Sequence, residues 1–159
     1  MRILVGLVLL VLTVGAAAAQ TYTIKWAGHA NRCLDVDHRG VANGTNVHSW
    51  ECNGTIAQKW HFRGVGDNFE IRWAGHGNRC LDVDHRGTHN GTNIHSWECN
   101  GTIAQYWTLH QVGNNYEIRW TGHPGRCLDV DHRGVVNGTN VHSWECNGTI
   151  AQMWVLTPN

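Results

Sequence analysis

Between positions 22 and 26 apolar and polar residues alternate, with Tyr22, Ile24 and Trp26 separated by Thr23 and Lys25. A period of two marks a half-buried strand, and Ala27-Gly28-His29 ends it as a turn. A second strand is expected at 33–37, with Leu34 and Val36 on one face and Cys33, Asp35 and Asp37 on the other. A third is expected at 46–52, turning Val47 and Ser49 inward and His48, Trp50 and Cys52 outward. A fourth begins near Lys59 and carries Trp60 and Phe62. Asn43-Gly44 and Asn53-Gly54 mark turns between these strands.

The same set of elements is written three times. Trp26, Trp73 and Trp120 are spaced by 47, as are Trp60, Trp107 and Trp154, so the units run 22–68, 69–115 and 116–159. A four-stranded unit this short cannot bury its own apolar face, and propellers start at about four blades. Three units closed into a ring around one shared core satisfy the pattern. Leu34, Val36, Val47 and Trp60 are then the inward residues of the first unit.

Composition narrows the class. The 159 residues carry 12 basic and 12 acidic side chains, so no net field draws the chain onto nucleic acid. With 19 Gly, nine Trp and only 15% charged residues, short strands and tight turns are favoured over helices. Met1-Arg2, an apolar run over 3–14 and the small residues Ala16 to Ala19 read as an export signal, 1–19, cleaved after Ala19. The run is too short to cross a bilayer comfortably and no second one follows. The expected product, 20–159, is secreted, extracellular and not inserted in a membrane. In an exported chain six cysteines favour disulfides over zinc. Equivalent units should pair equivalently: Cys33 with Cys52, Cys80 with Cys99, Cys127 with Cys146. Each such closure contributes on the order of 3 kcal/mol.

Three motifs recur in register: C-L-D-V, a W-x-C whose cysteine lies 19 residues after the first, and Q-x-W as Gln58-Lys59-Trp60, Gln105-Tyr106-Trp107 and Gln152-Met153-Trp154. The chain thereby resembles the ricin B-chain-like lectins and the carbohydrate-binding modules of family 13. The resemblance covers 20–159 and implies an all-β fold, a β-trefoil of three 47-residue four-stranded repeats with one disulfide each. It also implies one shallow sugar pocket per repeat. The C-L-D carboxylates Asp35, Asp82 and Asp129 would accept bonds from vicinal sugar hydroxyls, and Trp50, Trp97 and Trp144 would pack on the sugar ring. Where that family often has Gln two residues before this Trp, the chain has His48, His95 and His142. Where it often has Asn before the Q-x-W Gln, the chain has Ala57, Ala104 and Ala151.

The residues support the same chemistry unaided. A neutral sugar offers hydroxyls that need donors and acceptors, and a C–H face that suits an aromatic plate. Asp35, His48 and Trp50, expected on one outer face, supply both. Gln58, Gln105 and Gln152 are read either as touching sugar or as satisfying buried backbone groups. Trp60, Trp107 and Trp154 are read as core, Trp26 as packing under the His29 turn, and Asp37, Asp84 and Asp131 as turn-forming or solvated. A contact nets about 1 to 3 kcal/mol, so one shallow site binds weakly. Three linked sites gain roughly 10²–10⁴ in avidity.

Other readings are weaker. Asp37-His38 and His48 are metal-ligand types, but no complete site is spaced along the chain, so no metal or cofactor is expected. Threefold repetition of every polar candidate suits binding better than one asymmetric active site, and Asp35 and Asp37 cannot flank a glycosidic bond across a cleft. N-G-T occurs at Asn43, Asn53, Asn90, Asn100, Asn137 and Asn147, equally readable as glycan acceptors or as turns. The resulting expectation is a secreted, non-enzymatic, multivalent lectin for galactose-type or other neutral glycans and glycoconjugates, with self-association as a further partner mode. Its rivals are a self-assembling extracellular protein and a metal-dependent binder.

Overall fold

The computed structural model describes residues 19–159; the expected export signal, Ala19 excepted, lies outside them. Repeat 1 folds as β1 (Tyr22–Trp26), β2 (Arg32–Val36), β3 (Thr45–Glu51) and β4 (Trp60–Val65). Repeat 2 folds as β5 (Asn68–Trp73), β6 (Arg79–Val83), β7 (Thr92–Glu98) and β8 (Trp107–Val112). Repeat 3 supplies β9 (Asn115–Trp120), β10 (Arg126–Val130), β11 (Thr139–Glu145) and β12 (Trp154–Pro158).

The first and last strands of the repeats pair antiparallel in the cycle β1, β4, β5, β8, β9, β12 and back to β1. That closed barrel has no free edge. The inner strands form the hairpins β2–β3, β6–β7 and β10–β11, and β3, β7 and β11 pair with one another. Their inward residues Leu34, Val36 and Val47 are wholly buried and share one core cluster with the barrel tryptophans. The architecture is the expected threefold, all-β trefoil, with the expected disulfides Cys33–Cys52, Cys80–Cys99 and Cys127–Cys146, each with its Cα atoms 5.1 Å apart.

The 47-residue spacing has a direct structural result. Trp26 lies opposite Trp154, Trp60 opposite Trp73 and Trp107 opposite Trp120, so the indoles pair around the barrel. All are 3% exposed or less, and each buried N–H finds a carbonyl. Trp60 donates to Leu34 O at 3.0 Å, Trp73 to Ile56 O at 2.8 Å and Trp26 to Ile150 O at 2.8 Å. Trp26 does meet its turn: a Cβ on Gly28 would lie 2.4 Å from its ring, so only glycine fits there. Where β3, β7 and β11 meet, the amides of Asn46, Asn93 and Asn140 bond head to tail in a closed triangle, each link 2.9 Å.

One boundary differs from expectation in a way that matters for the site. The second strand stops at Val36, and Asp37, placed by alternation on its outer face, instead opens the turn Asp37–Arg39. The cause is the backbone of His38 (φ 48°) and Arg39 (φ 54°), left-handed values that end an extended run. The copies at His85, Arg86, His132 and Arg133 do the same.

Candidate functional site

Cross-strand register assembles the site. Asp35 on β2 lies opposite His48 on β3, and Cys33 lies opposite Trp50, so alternation puts all four on the face away from the core. That face is not open to solvent as the alternation implied. Asp35 and His48 are each 6% exposed, because the turn Ile56–Gln58 folds over the hairpin and the imidazole stacks on Trp50. The ring centroids are 5.3 Å apart at 28°, with near-identical stacks for His95 on Trp97 and His142 on Trp144.

Each carboxylate is gripped at both oxygens. His48 Nε2 lies 3.1 Å from Asp35 Oδ1, and the equivalent distances, His95 to Asp82 and His142 to Asp129, are both 2.9 Å. An ionised carboxylate only accepts, so the imidazole proton is assigned to Nε2. Gln58 Nε2 donates to Asp35 Oδ2 at 2.9 Å and to Glu51 O at 2.9 Å, while its Oε1 accepts from Asn53 N at 2.9 Å. Gln105 and Gln152 repeat the pattern on Asp82 and Asp129. Of the two readings left open for this glutamine, the structure favours satisfaction of buried groups: it is 1% exposed or less in every repeat and lies behind the carboxylate. Each oxygen so bonded keeps acceptor capacity for a further donor.

Above each carboxylate lies an open depression, of about 310 Å³ in repeat 1, 300 Å³ in repeat 2 and 280 Å³ in repeat 3. These volumes lie at or just below the lower end of the range for small-molecule sites, about 300 Å³. In repeat 1 the lining adds Asp37, His38 and Arg39 from one turn, and Asn53, Thr55 and Ala57 from another, to Asp35, His48 and Trp50. Asp37 is therefore more than a solvated turn residue; its Oδ1 lies 2.6 Å from Nδ1 of the exposed His38. Asn53 Oδ1 holds its turn by accepting from Thr55 N and Oγ1, so Asn53-Gly54-Thr55 is a turn at the pocket edge. The indole remains accessible: Trp97 and Trp144 are 37% exposed, and Trp50 is half-buried.

Sequence reading missed the contribution of the neighbouring repeat. Asn43, in repeat 1, accepts through Oδ1 from the backbone N of Glu98 in repeat 2 at 2.8 Å, and Gly44 N donates to Ser96 O at 2.9 Å. The ring of Trp97 lies 3.8 Å from where a Cβ on Gly44 would stand. Trp144 meets Gly91 and Trp50 meets Gly138 in the same way, so every pocket indole leans on the preceding repeat. The repeated N-G at these turns was the visible signal; which repeat it served was not.

The repeated His and Asp do not converge into a trio of ligand atoms. Among the described residues the one such group is Glu117 with Cys127 and Cys146, whose sulfurs are already bonded to each other.

The sequence matches the ricin-type β-trefoil lectin domain over residues 67–159, and the ricin-type β-trefoil lectin domain-like family over 11–97. The chain belongs to the ricin-type β-trefoil lectin family. No curated protein matches this lectin-family chain in sequence. Among solved structures it is similar to ThreeFoil, a designed threefold symmetric protein, with TM-score 0.82 and 25% identity over 86% of this chain and 97% of that one. It is similar to the exo-β-1,3-galactanase 1,3Gal43A of Clostridium thermocellum, with TM-score 0.83 and 25% identity over 88% of this chain, which corresponds to 30% of the galactanase. It shares its fold with the Macrolepiota procera ricin B-like lectin, solved in complex with lactose, at TM-score 0.73 and 20% identity over 90% and 98% of the two chains.

Proposed function

We propose that this chain is an exported, non-enzymatic, multivalent lectin that binds galactose-type or other neutral glycans at three pockets. The observation that carries the reading is the threefold recurrence of one arrangement: a carboxylate held by Gln and His at the floor of an open depression, beside an accessible indole. Membership of a lectin family supports carbohydrate as the ligand class.

In this reading Asp35, Asp82 and Asp129 accept from adjacent sugar hydroxyls, the stronger, charge-assisted kind of hydrogen bond. Trp50, Trp97 and Trp144 cover the C–H face of the ring. A pyranose with an axial O4 leaves that face continuous, which favours galactose-type sugars. Gln58 and its copies act as positioning residues, since their amides already bond carboxylate and backbone. His48 likewise orients the carboxylate through Nε2 and backs the indole plate. No group in this scheme has to change a covalent bond, in keeping with binding rather than catalysis.

A glycan array probed with the secreted protein tests the proposal. Binding to neutral galactosides is expected, and the combined variant Asp35→Asn, Asp82→Asn, Asp129→Asn should abolish it. No ligand at high protein concentration, together with large assemblies by light scattering, would replace the lectin reading with self-assembly. Binding that disappears on addition of a chelator would replace it with metal dependence. Export is checked by N-terminal sequencing of the secreted product, expected to begin at Gln20.

A further inference from the structure

Beside the sugar pocket of repeat 2 lies a second depression, of about 430 Å³, and Asn100 lines both. Arg63 on β4, Glu70 and Arg72 on β5, and Asn78 and Tyr106 from the connections between strands stand in its wall. Register sets Arg63 opposite Glu70. The Glu70 side chain is 4% exposed, and its Oε2 accepts from Arg72 Nε at 2.8 Å, Arg72 Nη2 at 2.6 Å and Arg63 Nη1 at 3.2 Å. Two guanidiniums thus share one buried carboxylate. Among the described residues of this wall no other side chain is charged, so one positive charge is left uncompensated. It is open to solvent, the Arg63 side chain being 61% exposed and that of Arg72 23%. A guanidinium carries five N–H donors, and Arg63 spends one on Glu70.

The threefold repetition breaks at this place. The repeat 3 counterparts of Arg63, Glu70, Arg72 and Tyr106 are His110, Glu117, Arg119 and Met153, so a single arginine is neutralised by its own glutamate. In repeat 1 they are Thr157, Thr23, Lys25 and Lys59, ammonium groups on flexible stems without the carboxylate that fixes a guanidinium.

We propose that this depression is an anion subsite of the repeat 2 pocket, taking a carboxylate or a sulfate ester carried on the group attached to the bound sugar. The inference rests on the carbohydrate reading of the pockets and deepens it: a neutral galactose-type unit lies over Trp97, and the attached group passes Asn100 to reach Arg63. The planar guanidinium fork matches the paired oxygens of carboxylate and sulfate alike. Glu70 holds Arg72 in place and cancels one of the two charges, so the anion meets a net single positive charge. Because Arg63 is largely solvated, the attraction is of the exposed kind, modest in size and screened by salt.

The test follows the indole N–H signals of Trp50, Trp97 and Trp144, and the ring signals of Tyr106, by NMR in the intact, disulfide-bonded protein. It is titrated separately with lactose and with lactose carrying a sulfate or a sialic acid at O3 or O6 of its galactose. At least one acidic form should bind about fivefold more tightly than lactose at Trp97 and shift Tyr106, which lactose leaves in place. At Trp144 no acidic form should gain. The gain should shrink as salt rises from about 0.05 to 0.5 M. Arg63→Gln, at an exposed position, should remove the gain at Trp97 and leave lactose affinity at all three indoles unchanged. A gain confined to the sulfated ligands identifies a sulfate ester as the group taken, and one confined to the sialylated ligands a carboxylate. No acidic form tighter than lactose at Trp97, or a gain there that survives Arg63→Gln, would overturn the subsite while leaving the sugar pockets standing. Indoles that respond to none of these ligands would overturn the galactose-type reading and the subsite together.

Discussion

Asp35, His48 and Gln58 recur unchanged in every repeat, are almost wholly buried, and bond to one another and to the backbone around them. At the rim the turns 41–44, 88–91 and 135–138 each set a glycine against a pocket indole of the next repeat, stand in solvent, and change from copy to copy. The contrast teaches where variation is cheap. On the floor each polar atom completes another's bonding, so one substitution orphans several buried groups. On the rim an exposed side chain touches little, and surface changes usually stay within about 0.5 kcal/mol. The exceptions confirm the rule: within each rim turn the Asn and Gly are constant, and they are the residues with a bond or a special backbone angle to keep.

The largest effect should come from beneath the floor. Trp60 is wholly buried, and its N–H bonds the carbonyl of Leu34, the residue before Asp35. Trp60→Ala should cost about 3–5 kcal/mol in urea unfolding. Trp60→Phe, which keeps most of the ring but not the N–H, should cost markedly less while still weakening ligand binding at Trp50. If the alanine variant is as stable as the parent, the floor is not braced by the barrel.

Next comes Asp35→Asn, nearly the same shape without the charge. Losing charge-assisted acceptance should lower affinity at that pocket about 10- to 100-fold, read from the Trp50 indole in a ligand titration. Trp97 and Trp144 should titrate as before. A loss shared by all three indoles would mean that the pockets do not act independently, and that floor and rim cannot be treated apart.

How much of this contrast the chain discloses by itself depends on range. Leu34, Val36, Val47 and Trp60 are readable as core because period-two alternation is a local rule and the pleat obeys it. The cysteine pairs follow from repetition, and Asp35, His48 and Trp50 fall on one face by the same alternation. The cover over that face was not legible, since the turn Ile56–Gln58 folds back onto it from the connection between β3 and β4, which alternation along a strand does not describe. Nor was Asp37 on the pocket lining: positive φ is ordinarily sought at glycine, and here His38 and Arg39 adopt it. Least legible was the rim, because Asn43 serves a strand 55 residues away in the next copy, and near-identical copies conceal which neighbour is meant.

Gln58→Ala sharpens the line between the regions from its buried side. It leaves Asp35 Oδ2, Glu51 O and Asn53 N short of a partner. A cost of about 1–2 kcal/mol in unfolding free energy is expected, with weaker binding at Trp50 only. A variant of unchanged stability that loses binding would instead make Gln58 a direct sugar contact.

The smallest effect is on the rim, and it should appear in the wrong repeat. Gly44 holds φ at 85°, a left-handed value that costs an L-residue about 1 kcal/mol. An added Cβ would meet the Trp97 ring at 3.8 Å, an ordinary contact, so Gly44→Ala strains the backbone without a clash. Its stability loss, about 1 kcal/mol in urea unfolding, should be accompanied by a shift of the Trp97 indole signal and a modest change in affinity at that pocket. Trp50, in the same repeat as Gly44, leans on Gly138 and should be silent. A response at Trp50 in place of Trp97 would show that each repeat builds its own rim, and the distinction between a floor made within one repeat and a rim lent by another would fall.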